Sequence, residues 1–374
     1  MFKSARSNAL ARRSTGARSA GVAALVALPL LAACNSNSSS PSSAAPSTST
    51  GVAATGAPTT SNQLTSLKFS FNPTLFIAWP VYVAQQEGFF QRNGINANLV
   101  QVTGGGSIIA AGLASGSIDV VSNSDLSLMG PYLAKGQNFV CVAGDAAAGW
   151  SIIGRTGNGI AANSLAAIQA LKGKTIGIVA VGSASYYVMR AILTDAGVNP
   201  DEVKYAALGA APASAVAALE ANRVAAVASL ADGAFFLSHQ PGFSYIFNAA
   251  AIPSGLNNAS LLSSISSQPN TSVWVRGTYA KAHPQVIASL QEALQESSAW
   301  MHDPKNLTAL VTLLSNGHLP SYASANPTQF VTTVLPVLQT TYPSSDAQSD
   351  MSFWVSTGLL KKAIPLSQWY DAQG

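Results

Sequence analysis

The stretch that decides the fold is residues 72–144, NPTLFIAWPVYVAQQEGFFQRNGINANLVQVTGGGSIIAAGLASGSIDVVSNSDLSLMGPYLAKGQNFVCVAG. A helix rich in aromatic and small residues leads into 88–90, and a short strand follows. The glycines and serine of 104–107 open a second helix, which ends at Gly116, and Ile118 leads into the next strand. Because this pattern of strand, loop and helix repeats, the stretch predicts an α/β sheet whose helix N-termini open onto one edge. We expect a ligand site at that edge.

The same pattern begins again near residue 175 and predicts a second block of strands and helices. A loop-like segment at 249–271 carries the chain back to a strand at 272–276 and a long amphipathic helix. Two blocks joined by two crossovers predict two lobes with a cleft between them, and clefts between lobes are common ligand sites. The expected boundaries are 65–157 and 270–374 for lobe one, and 158–269 for lobe two.

The charge of the chain is concentrated at its start. The formal net charge of +4 includes five basic residues before Cys34, and without them 14 basic residues stand against 15 acidic ones. The remainder is therefore nearly neutral and lacks the basic face that would bind nucleic acid by counterion release. An apolar content of 48% is ample for a core.

The first residues predict export and anchoring. Residues 1–33 combine a basic start with an apolar run that is too short to span a bilayer, and they end in Leu31-Ala32-Ala33-Cys34. This ending resembles a bacterial lipobox, which would make Cys34 the lipidated N-terminus of a membrane-anchored extracytoplasmic protein. An ordinary signal peptide with a chance cysteine is the alternative. Residues 34–64 are rich in Ser, Thr, Ala and Pro, a composition typical of a flexible tether.

Catalytic and metal-binding patterns are missing from the sequence. The four histidines, at 239, 283, 302 and 318, form no metal-ligand spacing, and no G-x-S-x-G motif occurs. Cys141 is the second cysteine besides Cys34, so we expect a buried thiol without a disulfide. We therefore expect no metal, no cofactor and no enzymatic activity.

Several short motifs, in order and with consistent spacing, indicate a family. They are Ala78–Ala84 with Glu87–Phe90, then Gly94-Ile95, Gly104–Gly106, Leu113–Asp119, Ser124-Asp125, Leu171–Gly177, Gly182-Ser183 and Ala196–Val198. On these motifs the chain resembles the solute-binding proteins of ABC importers of the nitrate, sulfonate and taurine type, a family that also includes binders of thiamine-pyrimidine precursors.

The resemblance implies a fold and a role. It implies a two-lobed periplasmic-binding-protein fold of type II that closes on its ligand by hinge bending, as a monomer, and then docks on a membrane permease served by an ATPase. The ligand would be a small anion of the sulfonate, nitrate or taurine kind, or a small heteroaromatic. Two alternatives stay open, which are a tethered ligand sensor and an enzyme like the thiamine-pyrimidine synthases. The latter depend on a histidine and a cysteine-rich motif, and this chain has only Cys141 in its folded region.

The resemblance also places ligand contacts in the loops that follow the strands. These candidates are Asn72, Trp79, Gly105, Ser107, Ser122, Asn123, Ser124 and Asp125 in lobe one, and Ser183, Ser185, Tyr186 and Asp232 in lobe two. Free N–H groups at helix N-termini and serine hydroxyls bind anionic groups without a countercharge, which supports the same set on physical grounds. Trp79 and Tyr186 would form apolar or stacking walls.

Each candidate also has a purely structural interpretation. The glycines at 104–106 fit a tight turn and lack the Lys-Ser/Thr of a phosphate loop. Ser107, Ser183 and Asp232 fit helix caps, and Tyr186 fits packing. Arg190, the basic residue nearest the helix mouth of lobe two, fits a surface ion pair.

Overall fold

The computed structural model describes residues 64–371, apart from 74, 103–104, 157–158, 210, 265, 267–269 and 321–322. The predicted signal peptide, Cys34 and the tether up to residue 63 therefore lie outside the described residues. Within the described part of the chain, no helix has the length and apolar content needed to cross a membrane.

The described residues form strands and helices in alternation over most of their length. The strands are β1 (Thr65–Phe71), β2 (Ile95–Gln101), β3 (Val120–Ser124), β4 (Phe139–Ala146), β5 (Ser151–Gly154), β6 (Thr175–Ile178), β7 (Lys204–Ala207), β8 (Ala226–Ser229), β9 (Ser244–Phe247) and β10 (Thr271–Arg276). The helices are α1 (Trp79–Gln86), α2 (Phe89–Arg92), α3 (Gly105–Ser115), α4 (Leu126–Leu133), α5 (Leu165–Gln169), α6 (Ala184–Asp195), α7 (Pro212–Glu220), α8 (Ala231–Ser238), α9 (Ala259–Ser263), α10 (Gly277–Ala282), α11 (Pro284–His302), α12 (Leu307–Ser315), α13 (Pro327–Val334) and α14 (Ser344–Ser356).

The first sheet has the strand order β2-β1-β3-β10-β4. Strands β1, β2 and β3 are parallel, because each is followed by a helix that returns the chain to the same edge. Strand β10 enters between β3 and β4 and runs antiparallel to both, because it begins where the chain comes back from the second sheet. The predicted sheet edge, onto which the loops after β1 and β3 open, is thus formed.

The second sheet has the order β7-β6-β8-β5-β9, in which β6, β7 and β8 are parallel and β5 is antiparallel to β8 and β9. This pairing corrects one expected boundary. Strand β5 was expected in lobe one, which was to end at 157, yet it pairs only with second-sheet strands among the described residues. The chain therefore crosses between the sheets at residues 147–150, because the antiparallel partners of β5 are all in lobe two.

Helix α1 lies inside lobe one, and only its end, at Gln85 and Gln86, reaches the surface. Six of its eight residues are buried, and its neighbour α11 packs along it, with the Ser297 hydroxyl donating to the Pro80 carbonyl oxygen at 2.7 Å. A helix covered on all sides carries no amphipathic pattern, which is why the sequence does not reveal which of its side chains face a ligand.

The end of the chain returns to the first sheet. Trp369 stacks on Trp274 of β10 with ring centroids 5.7 Å apart, and Tyr370 forms a β-bridge with Cys141 of β4. Cys141 is fully buried, which confirms the predicted core thiol. The sequence left the path after residue 304 open, and burial of Trp369 fixes it against lobe one. Three helices were not predicted: α2 directly after Gly88, α9 within the loop-like 249–271, and α10 directly before the long helix.

Candidate functional site

A cavity of about 420 Å³ lies between loops of the two sheets. It is lined by Asn72, Leu75, Trp150, Val179, Gly209, Ala211, Pro212, Ala213, Ala215, Ala228, Ser229, Leu230, Asp232, Gly233 and Pro320. Its volume is in the range of small-molecule sites, and its walls come from the carboxyl ends of parallel strands in both sheets, which is where open α/β folds bind ligands. A cavity of about 680 Å³ also exists, but it opens at the amino ends of second-sheet strands and involves no residue of lobe one.

Lobe one contributes the end of β1 and a loop of its helical layer. Asn72 is the first residue after β1, and Leu75 follows in the same turn. Pro320 comes from the segment after α12. That segment is held in place by His318, whose ring stacks on Tyr82 at a centroid distance of 3.5 Å.

Trp150 enters the cavity from the crossover between the sheets. Gly149 has a φ of 62°, and a side chain there would press against Ala231, so the turn brings the crossover unusually close to α8. The Ala231 N–H donates to the Ala148 carbonyl oxygen at 3.1 Å and fixes this approach. The indole of Trp150, 8% exposed, thereby becomes part of the cavity wall.

Lobe two contributes the ends of β6, β7 and β8. Ser229 ends β8, Leu230 is the N-cap residue of α8, and Asp232 is the second residue of that helix, 8% exposed. Asp232 therefore lies in the first turn of α8, whereas the sequence predicted it as a cap before Gly233. Among the lining residues that the structure describes, it is the single ionisable one.

Two of the twelve predicted ligand contacts, Asn72 and Asp232, thus line the cavity. Eight of the other ten are absent from the described lining, and the structure gives a physical reason for most of them; the side chains of Gly105 and Ser107 lie outside the described residues. The wall predicted at Trp79 is wrong: its side chain is 1% exposed, donates from Nε1 to the His318 carbonyl oxygen at 3.3 Å and meets Phe330 edge-on. The tryptophan in the wall is Trp150, which the sequence reasoning missed.

The polar residues after β3 are engaged within lobe one. The Ser122 hydroxyl donates to the Ser70 carbonyl oxygen at 2.9 Å, and the Asn123 side-chain amide donates to the Ile77 carbonyl oxygen at 2.7 Å. Asn123 has a φ of 60°, and this left-handed turn aims its backbone N–H at the Asp145 carboxylate, 2.8 Å away. These groups hold the loop in place through hydrogen bonds within lobe one, and they are absent from the described cavity lining.

Asp145 is a buried acid without a basic partner among the described residues. Burial raises the pKa of Asp145 to about 7, although the hydrogen bond from Asn123 acts in the opposite direction. Its second carboxyl oxygen has no described hydrogen-bond partner. Sequence reasoning missed this acid, because it lies near the end of the mostly apolar strand β4 and no motif surrounds it.

Asp125 and Ser124 also serve the structure. The Asp125 carboxylate caps α4 by accepting from the Leu128 N–H at 3.1 Å, and it accepts a further hydrogen bond from the Ser127 hydroxyl. Burial raises the pKa of Asp125. Ser124 is buried, and its hydroxyl has no described partner.

The glycine-rich turn is described only in part. Gly105 begins α3 and Ser107 is its third residue, so Ser107 lies inside the first turn instead of capping it. The side chains of 105–107 lie outside the described residues.

In lobe two the predicted contacts at the N-terminus of α6 are occupied by hydrogen bonds within the same turn. The Ser183 hydroxyl donates to the Ala180 carbonyl oxygen at 2.7 Å, and the Ser185 hydroxyl accepts from the Val179 N–H at 2.9 Å. Tyr186 packs edge-on against Tyr205, and Arg190 pairs with Asp201 at 2.7 Å. The packing interpretation of Tyr186 and the surface ion pair of Arg190 are the ones the structure supports.

Two lobes with a cavity between them define the class of protein. The structure resembles the periplasmic aliphatic sulphonate-binding protein of Escherichia coli, at a TM-score of 0.63 and 17% identity, over 81% of this chain and 96% of that one. It resembles the ligand-binding component of an ABC-type import system from Staphylococcus aureus, solved with zinc bound, at 0.60 and 15%, over 82% and 97%. For the periplasmic nitrate-binding protein of Synechocystis PCC 6803 the values are 0.58 and 16%, over 80% and 83%. The predicted two-lobed periplasmic-binding-protein fold is confirmed.

The sequence matches the profile of the NMT1-like family over residues 60–315, more than half of the chain. The chain belongs to this family, and the resemblance inferred from its motifs is confirmed. A comparison with curated protein sequences gives no match.

The fold is not restricted to binding proteins. A desulfurization enzyme shares it at a TM-score of 0.55 and 15% identity, over 83% of this chain and 97% of that one. In the described part of this chain no three His, Cys, Asp or Glu side chains are grouped to hold a metal ion. Cys141 is fully buried, and the histidines are absent from the described cavity lining.

Proposed function

We propose that this protein is an extracytoplasmic solute-binding protein that captures one small molecule between its lobes and delivers it to an ABC importer. The observation that carries the proposal is the cavity itself, because both sheets supply its walls from the carboxyl ends of their parallel strands. A ligand held there contacts both lobes at once, so binding favours a closed arrangement that a permease can recognise.

The two crossovers between the sheets form the hinge of this proposal. Residues 147–150 lead from β4 to β5, and the chain returns through Asn270 to β10. The side-chain oxygen of Asn270 accepts the Ala148 N–H at 2.8 Å, so the two connections are joined directly. Paired crossovers of this kind let two lobes move as rigid bodies about a short axis.

Anchoring follows from the start of the sequence. We propose that residues 1–33 are removed as a lipoprotein signal, that Cys34 is lipidated, and that residues 34–64 tether a monomeric binding domain to the membrane. Such a tether keeps the domain near its permease, which raises the effective concentration for docking.

We further propose that the protein binds its ligand without transforming it. The described lining offers one carboxyl group, Asp232, one hydroxyl, Ser229, and one amide, Asn72. Acid–base catalysis often pairs a general acid with a general base near the reacting atoms, and nucleophilic catalysis often places a base beside the nucleophile. The described lining contains neither arrangement.

A thermal-shift screen of the purified full-length chain tests the proposal. The library contains sulfonates, nitrate, taurine, pyrimidines, aromatic acids, amines and neutral heterocycles. At least one compound should raise Tm in a concentration-dependent manner, as expected of a ligand that binds only the folded state. A Trp150→Ala variant should lose that shift while an unliganded Tm remains measurable. If no compound class stabilises the protein, solute binding is the wrong function.

A further inference from the structure

The described lining of the cavity contains no basic side chain, and from this we infer the charge of its ligand. We propose that the cleft takes a neutral or cationic organic solute with an apolar body, and that it discriminates against strong anions such as sulfonates and nitrate. This inference rests on the proposed solute-binding function and specifies the ligand class.

The distribution of basic residues is the first observation. The 14 lysines and arginines after residue 63 all occupy described positions, and none of them lines the cavity. No undescribed position after Cys34 is Lys, Arg or His, so no basic side chain is hidden near the cleft. The loops that follow the parallel strands contain no basic residue either, so closure of the lobes brings none from them.

The basic residues are instead held on other surfaces. Four of them pair with acids, as in Arg276 with Asp119 and Arg190 with Asp201. Arg155, Lys174 and Arg223 line the cavity at the opposite edge of the second sheet. An anion attracted to this lobe would therefore meet positive charge at the far edge, away from the cleft.

Side chains already occupy three of the helix N-termini around the cleft. At α4 the Asp125 carboxylate accepts a backbone N–H of the first turn, and at α6 the Ser183 and Ser185 hydroxyls occupy the turn. At α8 the acid Asp232 itself lies in the first turn. The first residues of α7 line the cavity without a side-chain cap, but Pro212 has no N–H and the Ser214 N–H donates to the Ala211 carbonyl oxygen at 3.0 Å. A carboxyl group carries a negative charge or none, so at two of these helix ends the partial positive charge already has an acidic neighbour.

The remaining lining fits an apolar body. Leu75, Val179, Pro212 and Leu230 surround the space, and Trp150 offers the flat face of an indole. Aromatic faces attract cations and stack on planar rings, and Asp232 adds an acceptor for an N–H or ammonium group. His318, near the lobe-one wall, has a pKa that burial lowers, which favours its neutral form.

The test uses three compounds that share a benzyl body and differ in charge: benzylamine, benzyl alcohol and phenylmethanesulfonate. Binding is followed by the fluorescence of Trp150 in a full-length Trp300→Phe background, because the remaining four tryptophans are at most 2% exposed. The part of the signal change that a Trp150→Phe version of the same background loses is local to the cleft, so an anion at the far cavity does not contribute to it. Benzylamine or benzyl alcohol should bind at least about tenfold more tightly than the sulfonate, the ratio that 1.4 kcal/mol supports.

Two variants identify the residue responsible. Asp232→Asn should weaken benzylamine much more than benzyl alcohol, because it removes the negative charge and keeps the shape and one acceptor oxygen. Glu220→Gln removes an acid from the exposed end of α7 in the same lobe and should change neither. Equal or tighter binding of phenylmethanesulfonate overturns the inference and leaves solute binding intact.

A second measurement needs no ligand. The fluorescence of Trp150 is quenched with caesium, iodide and acrylamide at constant ionic strength, and each constant is referred to N-acetyltryptophanamide. Caesium should quench Trp150 at least about twofold more than iodide, and Asp232→Asn should reduce the ratio. Stronger quenching by iodide shows a positive cleft and overturns the inference even if none of the benzyl compounds binds. Failure of the whole thermal-shift library would count against solute binding instead.

Discussion

Asp145, which is buried in lobe one, should make the free energy of unfolding depend on pH. Asp145→Asn should remove this contribution of Asp145. Asp145 is 0% exposed, and burial raises its pKa from 3.8 to about 7. A buried acid with a raised pKa favours folding at low pH, where it is protonated in both states. That contribution is lost as the pH rises from about 4 to about 7, because the unfolded chain releases the proton first.

The size of the effect follows from the same two values. The interval from 3.8 to about 7, at about 1.36 kcal/mol for each pH unit, gives a loss of about 4 kcal/mol in the free energy of unfolding. Other buried acids titrate too, so the quantity to measure is the difference between the wild type and Asp145→Asn. Asparagine keeps the acceptor for the Asn123 N–H, but it places an amide where the second carboxyl oxygen has no described partner. At pH 4 the free energy of unfolding of the variant should therefore be about 1–3 kcal/mol lower than that of the wild type. This difference should shrink, and can reverse, as the pH rises and the wild type loses stability.

Guanidinium chloride unfolding between pH 4 and pH 8.5 is the assay. Asp201→Asn is the control, because Asp201 is 73% exposed and its curve should run parallel to that of the wild type, apart from the loss of one surface ion pair. If Asp145→Asn also runs parallel, with no change of relative stability between pH 4 and pH 7.5, Asp145 does not carry its proton as the burial argument requires.

Three further changes separate core, hinge and anchor. Trp79→Ala should lower the free energy of unfolding by about 3–5 kcal/mol, because it leaves a large space in the lobe-one core. If the variant keeps full stability and loses ligand affinity, Trp79 belongs to the binding site after all. Asn270→Ala should leave the Ala148 N–H without its partner and lower the free energy of unfolding by about 1–3 kcal/mol. If the crossovers act as a hinge, the variant should also increase the radius of gyration of the ligand-free protein in small-angle scattering. An unchanged radius of gyration would argue against that hinge. Cys34→Ala should release the protein from the membrane fraction, and unchanged partition would refute the lipobox.

The cavity shows where sequence reasoning succeeds. The family resemblance placed Asn72 and Asp232 among the ligand contacts, and their positions after strands in two separate blocks support it, because parallel strands end at one edge of a sheet. The succession of strands along the chain, the two-lobed architecture and the buried thiol at Cys141 follow from local patterns of this kind. Hydrophobic alternation and turn residues act over a few positions, so one chain segment at a time reveals them.

The choice between two tryptophans shows where it fails. Trp79 precedes a proline at a helix start and Trp150 follows a strand, and both positions suit a cleft. Helix α11, more than 200 residues away from Trp79, covers it together with α13. Gly149 brings Trp150 against α8 through contacts with Ala231. Helix α11 and Ala231 each lie far along the chain from the tryptophan that they help to position, so the sequence around that tryptophan does not reveal them.

By itself, the sequence determined that this chain forms two α/β blocks joined by crossovers, with polar loops at their strand ends and nearly balanced charge. Only the tertiary structure decided which of those loops meet, that the boundary lies before β5, and that the described lining of the cleft contains an acidic side chain and no basic one. The physical reason is that strand patterns are local, whereas a cavity is the space left by the packing of segments far apart in the chain. Its lining depends on every crossover angle and contact that brings those segments together.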